Sequence, residues 1–314
     1  MADPNPMFYR PSGKFPPYAI PATLGAGLAT GVLGGVVYGI LDWWVPFIYV
    51  LFLATIGLGL GQGFVVSQLL RVCKVRNAIV GAACGVGCGL FAYYGAWVGW
   101  IFAGSEWNLL VFNPITLYEI AALTSETGTW GLSSGDPVSG IFLLAFWLVE
   151  AGIIIVPSVL AGIACCGTPF NEKAQAWADQ TDSLPPLAPI SSSTQAALSD
   201  GLAQGDFAVL QELQPLEQES STFTSISFAW APADRDTQFM SINSISLSQD
   251  KEGNVKVRST PVAEHMIVDA ESRELIEEIF AEDEQALPTQ SGPIHDAHAE
   301  DAEDAAALEE MLED

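Results

Sequence analysis

Four long apolar runs constrain this chain more than any other feature. Residues 20–41, 47–70, 78–102 and 138–164 are almost free of charge and rich in Gly, Ala, Val, Ile, Leu and Phe. Roughly 20 such residues in a helix cross a ~30 Å hydrocarbon core, and a helix satisfies its own backbone polar groups there. The spacing therefore predicts four membrane-spanning helices. The last run, VSGIFLLAFWLVEAGIIIVPSVLAGIACC, also divides the chain by charge. Residues 1–170 hold seven Asp or Glu and five Lys or Arg, whereas residues 171–314 hold 30 and six. The two parts must be physically different. So acidic a second part repels phosphate backbones, and no basic groove is present, which excludes nucleic-acid binding.

The basic residues set the orientation. Arg10 and Lys14 precede the first span, Arg71, Lys74 and Arg76 lie between the second and third, and Lys173 follows the fourth. The other two loops, 42–46 and 103–137, contain no Lys or Arg and five acids: Asp42, Glu106, Glu119, Glu126 and Asp136. The positive-inside rule then predicts both termini in the cytoplasm. Trp43 and Trp44, with Tyr93, Tyr94, Trp97 and Trp100, suit an aromatic belt at the opposite interface.

The flanking segments read as follows. Residues 1–18 carry five prolines and form an irregular cytoplasmic arm. In the outer loop, Asn113 as N-cap and Pro114 as first helical residue start an amphipathic helix over about 114–124, lying on the outer face or acting as a lid. Residues 167–199 read as a linker, with a short helical extension over 171–182. Residues 200–281 predict a small acidic α+β domain, entered through a stretch at 195–202 that can be helical. Its strands fall at about 207–213, 222–230, 238–247, 254–258 and 264–268, a hairpin turns through SQDKEGNVKV, and a helix covers 271–281. Residues 282–314 are acid-rich without Lys or Arg and read as a disordered tail, whose HDAH at 295–298 is a weak metal motif. Five cysteines fit neither a disulfide framework nor a zinc pattern.

Few residues can carry a function. Gly27, Gly31, Gly35 and Gly39 repeat every four positions in the first span, as do Gly81, Gly85 and Gly89 in the third, with overlapping pairs Gly57/Gly61 and Gly59/Gly63 in the second. Such spacing lets helix backbones approach closely, either within a four-helix bundle or between copies in a homo-oligomer. Glu150 is the one acid inside a span. It must face the bundle, pair with polar groups or take up a proton, because a charge at the membrane centre is disfavoured. Depth counting makes Tyr93 and Tyr94 its expected partners and Thr30 the next, with Gln62 as a further intramembrane polar residue. Pro157 also frees the Ile153 carbonyl one turn away. Two readings follow: a proton or cation site in a small transporter or channel, or a buried carboxyl that holds the bundle in register. No nucleophile–base pair, nucleotide loop, cofactor motif or metal-ligand set is visible.

The segments YRPSGKFP, VPFIYV, KVRN, NPITLYEI with GTWG, WLVEAG and TPFNEKAQAW together resemble uncharacterised multi-pass membrane proteins of bacteria over about residues 8–180. The resemblance implies architecture and a bacterial inner-membrane address, and no activity. The expectation is thus a membrane all-α, four-helix transmembrane bundle with a small cytoplasmic α+β domain and a disordered acidic tail. It is expected to serve as a non-enzymatic scaffold or accessory subunit presenting its acidic domain to a basic protein.

Overall fold

A computed structural model of the chain describes residues 7–129, 137–216, 220–251 and 254–286. Four helices are long and apolar enough to cross a membrane: α1 (Ala19–Trp44), α2 (Ile48–Val72), α3 (Ala78–Gly104) and, after the short α4 (Pro114–Thr127), α5 (Gly140–Gly167). α3 starts where Asn77 accepts hydrogen bonds from the Ile79 and Val80 amides, and α4 where Asn113 accepts one from Ile115. Gly128, at φ +79°, ends α4.

Within the bundle α3 is the central helix, packed on α1 and α5, while α2 packs on α5 and α1. Small residues set these distances. A Cβ on Gly31 would lie 3.0 Å from the Ala92 nitrogen; on Gly35 and Gly39 it would run into the Ala92 and Ala96 carbonyl oxygens. A Cβ on Gly27 would meet the Cys88 sulfur. On the other side of α3, Gly81 faces Gly162, Gly85 faces Ser158 and Val159, and Gly89 faces Ile155. In α2, Gly63 faces Pro157 of α5, and Gly59 faces the Ile153 carbonyl that Pro157 leaves without its usual N–H. Among the described residues, nothing lies within 4 Å of a Cβ on Gly57 or Gly61.

The chain as a whole is mixed helix and sheet rather than all-α, and residues 170–183 are the main departure from expectation. They are neither linker nor helix. β1 (Phe170–Asn171) and β2 (Ala176–Trp177) pair with each other, and β3 (Gln180–Ser183) joins a four-stranded antiparallel sheet ordered β3, β4 (Thr222–Ala231), β5 (Asp234–Gln249), β6 (Val255–Asp269). α6 (Ser192–Ala203) begins inside the expected linker, and Phe207–Glu212, expected as a strand, is a 3-10 turn. β6 runs continuously through the two expected short strands. The β5–β6 hairpin occupies the expected place, with Gln249 opposite Val255. α7 (Ala270–Ala286) follows directly. The tail beyond residue 286, with its HDAH, lies outside the described residues.

One face of the sheet forms the domain core. Ile226 and Phe228 of β4, Met240 and Ile242 of β5 and Met266 of β6 pack under Leu198 and Leu202 of α6, Leu210, and Ile276 and Phe280 of α7. Burying each such side chain contributes about 1.5–3 kcal/mol. The proline-rich arm also joins the domain: Ile267 donates to the Met7 carbonyl at 2.7 Å and Tyr9 to the His265 carbonyl at 2.8 Å, beside the edge strand β6.

Candidate functional site

Two clusters of polar side chains stand out, one at each end of the bundle. The distal one lies away from the sheet domain. Tyr38 of α1 is 5% exposed. Its hydroxyl donates to Glu150 Oε1 of α5 at 2.6 Å and lies 2.9 Å from Thr55 Oγ1 of α2. Thr55 in turn donates to the Leu51 carbonyl, 2.8 Å away. Three helices thus meet at one phenol. Glu150 lies at the foot of a cleft lined by Tyr38, Asp42, Tyr93, Trp97, Trp100 and Trp147, with Gly39, Ala96 and Thr129 completing it. The cleft holds about 60 Å³.

Its rings brace one another. Trp97 meets Trp147 edge to face at 4.8 Å and Trp100 at 5.8 Å, and Trp43 meets Trp100 at 5.4 Å. In such pairs the positive edge of one ring meets the negative face of the next.

The partners named from sequence are thereby corrected. Tyr93 lines the cleft with Glu150, yet its hydroxyl donates to the Trp147 carbonyl at 3.3 Å. Tyr94 is not a partner: its hydroxyl donates to the Phe112 carbonyl in the loop before α4. Consecutive helical residues point about 100° apart, so both tyrosines cannot face one carboxylate. Thr30 is not a partner either. It bonds Gln62 Oε1 at 3.3 Å, while Gln62 Nε2 donates to the Gly27 carbonyl at 3.0 Å. Thr30 sits eight residues before Tyr38, roughly 12 Å along the helix. The Ile153 carbonyl freed by Pro157 faces Gly59 of α2. Tyr38, Thr55 and Asp42 were the missed residues. Their signal was periodic: Tyr38 and Asp42 lie one turn apart on α1, as do Trp147 and Glu150 at three residues' spacing on α5.

The second cluster joins bundle to domain. Arg76, which is 6% exposed, lies over the Phe170 ring at 4.3 Å and reaches the Glu172 carboxylate at 3.2 Å, and Lys14 approaches the same carboxylate at 3.4 Å. Arg71 pairs with Asp179, and its carbonyl accepts from Trp177 Nε1 at 2.9 Å. The Gly13 amide donates to the Arg76 carbonyl, and the Arg76 amide to that of Lys14. Burial opposes ionisation of Glu172, but the Ser12 hydroxyl, Arg76 and Lys14 together hold its carboxyl below the ordinary range. The Asn171 amide donates to Asp234 at 2.8 Å and holds that carboxyl low as well. Two of the three bases between α2 and α3 therefore also fasten the domain.

All five cysteines are free and buried; Cys73, Cys84, Cys88, Cys165 and Cys166 share one apolar cluster near this junction. Among the described residues no group of three His, Cys, Asp or Glu side chains could hold a metal ion. No protein-family model, no curated protein and no solved structure matches the chain.

Proposed function

We propose that this chain is a non-enzymatic multi-pass membrane protein, with both termini cytoplasmic, that binds a monovalent cation at its outer end. The carrying observation is the cleft shared by Glu150 and Asp42 within a membrane-spanning bundle. A carboxylate at a span centre is disfavoured by ~2.5–3.5 kcal/mol on insertion scales. The Tyr38 hydrogen bond offsets part of that cost, and a bound cation offsets more. The network serves both charge states. An ionised Glu150 accepts from Tyr38. A protonated Glu150 can donate to Tyr38, which then donates to Thr55, and Thr55 to the Leu51 carbonyl.

Orientation rests on the bases. Arg10, Lys14, Arg71, Lys74 and Arg76 all lie on the domain side of the spans, which supports a cytoplasmic domain and an outward cleft. The resemblance to bacterial multi-pass proteins supports an inner-membrane address. Calorimetric titration of the full-length protein in nanodiscs with Na⁺, K⁺ or NH₄⁺ tests the reading. Saturable binding weakened at least tenfold by Glu150→Gln is expected; equal affinity in the variant, or no binding, overturns it.

The excess of 30 acids over six bases beyond residue 170 supports a second role, presentation of an acidic surface to a basic cytoplasmic protein. Capture by the full-length protein should then fall steeply with salt, and salt-independent or absent capture contradicts it.

A further inference from the structure

We propose that the distal cleft recognises a small organic ammonium ion rather than a metal cation; this rests on the cation-site reading above and adds the ligand's chemical class. Charge alone would admit either. The walls decide. Three indoles (Trp97, Trp100 and Trp147) and two phenols (Tyr38 and Tyr93) surround the carboxylates of Asp42 and Glu150. Aromatic faces attract a diffuse organic cation, Trp most strongly, and a desolvated site strengthens the attraction. Because neighbouring indoles stand edge to face at 66° and 80°, they form walls at steep angles to one another rather than a flat stack. Such a corner suits a rounded ammonium head. It offers little to a metal ion.

Oxygen supply points the same way. Calcium takes six to eight oxygen ligands and magnesium a near-ideal octahedron. The Tyr38 oxygen is already engaged with Glu150 and Thr55, and the Tyr93 hydroxyl with the Trp147 carbonyl. Among the described lining side chains, the oxygens left are those of the two carboxylates and Thr129. The carboxylates also differ in availability. Glu150 holds the Tyr38 hydrogen bond, whereas among the described residues no donor hydrogen-bonds Asp42. Asp42 therefore receives an N–H or a methylated nitrogen most readily, and Glu150 supplies the second negative charge deeper in.

Size limits the ligand. The cleft's 60 Å³ has room for about four to six waters, at roughly 10–15 Å³ of such space each. That is far below the ~300–1,000 Å³ of a drug-sized site. An ammonium head of a few heavy atoms fits, and any longer chain must leave through the mouth.

The test is calorimetry on the full-length protein in nanodiscs, with tetramethylammonium and K⁺ titrated separately. Tetramethylammonium should bind at least tenfold more tightly than K⁺. Trp147→Leu should weaken tetramethylammonium about tenfold and leave K⁺ unchanged, while Trp147→Phe, which keeps a ring, retains most of the affinity. Glu150→Gln keeps an acceptor for Tyr38, so the node can still form, and it should weaken both cations, as should Asp42→Asn. If K⁺ binds as well as tetramethylammonium, or Trp147→Leu affects both equally, the ammonium assignment fails and the cation site stands. If neither cation binds, or both bind regardless of Asp42 and Glu150, both proposals fail.

Discussion

Tyr38 is the residue on which the distal site turns. Its phenol joins α1 to α5 through Glu150 and to α2 through Thr55. Removing that hydroxyl leaves the buried Thr55 and the half-buried Glu150 without a shared partner. An unsatisfied buried polar group costs about 1–3 kcal/mol, more when charged. Tyr38→Phe should therefore lower bundle stability in detergent by about that amount, and Glu150→Gln by less, since the amide oxygen still accepts. An unfolding titration reads both; a neutral Tyr38→Phe contradicts the node. Glu150 itself was legible as the odd acid of its span. Its partner was not, because depth counting ignores helical phase. Depth placed Tyr93 and Tyr94 at the right level, but only one of two adjacent residues can face the cleft.

At the level of elements, the four spans and the four-residue glycine spacing were plain in the sequence, since both are local and periodic. What the glycines touch was not local. Gly35 and Gly39 sit against α3 carbonyls, whereas among the described residues nothing lies close to Gly57 and Gly61 on α2. Gly35→Ala should thus push α1 from α3 and destabilise the bundle by several kcal/mol, in line with overpacking costs of ~1–3 kcal/mol or more. Gly57→Ala should be neutral or stabilising by up to ~1 kcal/mol through helix propensity. Thermal unfolding of both variants in one detergent checks the contrast, and equal effects contradict the packing. The sheet was harder to read. β3 pairs with β4, some 45 residues on, so nothing near Gln180–Ser183 announces a strand. β6 runs through Pro261 because it is an edge strand, where proline is tolerated.

Across the whole molecule, the segments YRPSGKFP, KVRN and TPFNEKAQAW converge on the junction of bundle and domain. Tyr9 meets Phe239 edge to face at 5.2 Å, Arg76 and Lys14 hold Glu172, and Trp177 caps Arg71. Residues 7–18 of the arm that looked irregular are therefore a strap from the sheet to the start of α1. Its role was hidden because the hydrogen bonds of Met7, Tyr9, Gly13 and Lys14 go to residues far along the chain. Arg71→Ala together with Lys14→Ala should loosen the domain and speed proteolysis around residues 172–183 several-fold, with the spans intact; unchanged cleavage contradicts the clamp. The junction also has a pH signature. Glu172 and Asp234 have carboxyls held below their ordinary values, so their stabilisation is complete above the ordinary carboxylate range and lost as pH falls through the lowered values. His265 differs. Burial holds its imidazole below the ordinary value, so its share is present above about pH 6.5 and is lost as pH drops further. Domain docking, followed by the same proteolysis, should weaken first below about pH 6.5 and again in the acid range, and His265→Gln should remove the first step alone.

The central claim is that Glu150 and Asp42 together form one cation site at the distal end. Its most direct test is the binding stoichiometry of the full-length protein and of an Asp42→Asn, Glu150→Gln double variant, titrated side by side with tetramethylammonium in nanodiscs. The account predicts one saturable site per chain in the natural protein and none in the folded variant. Equal binding by both contradicts it.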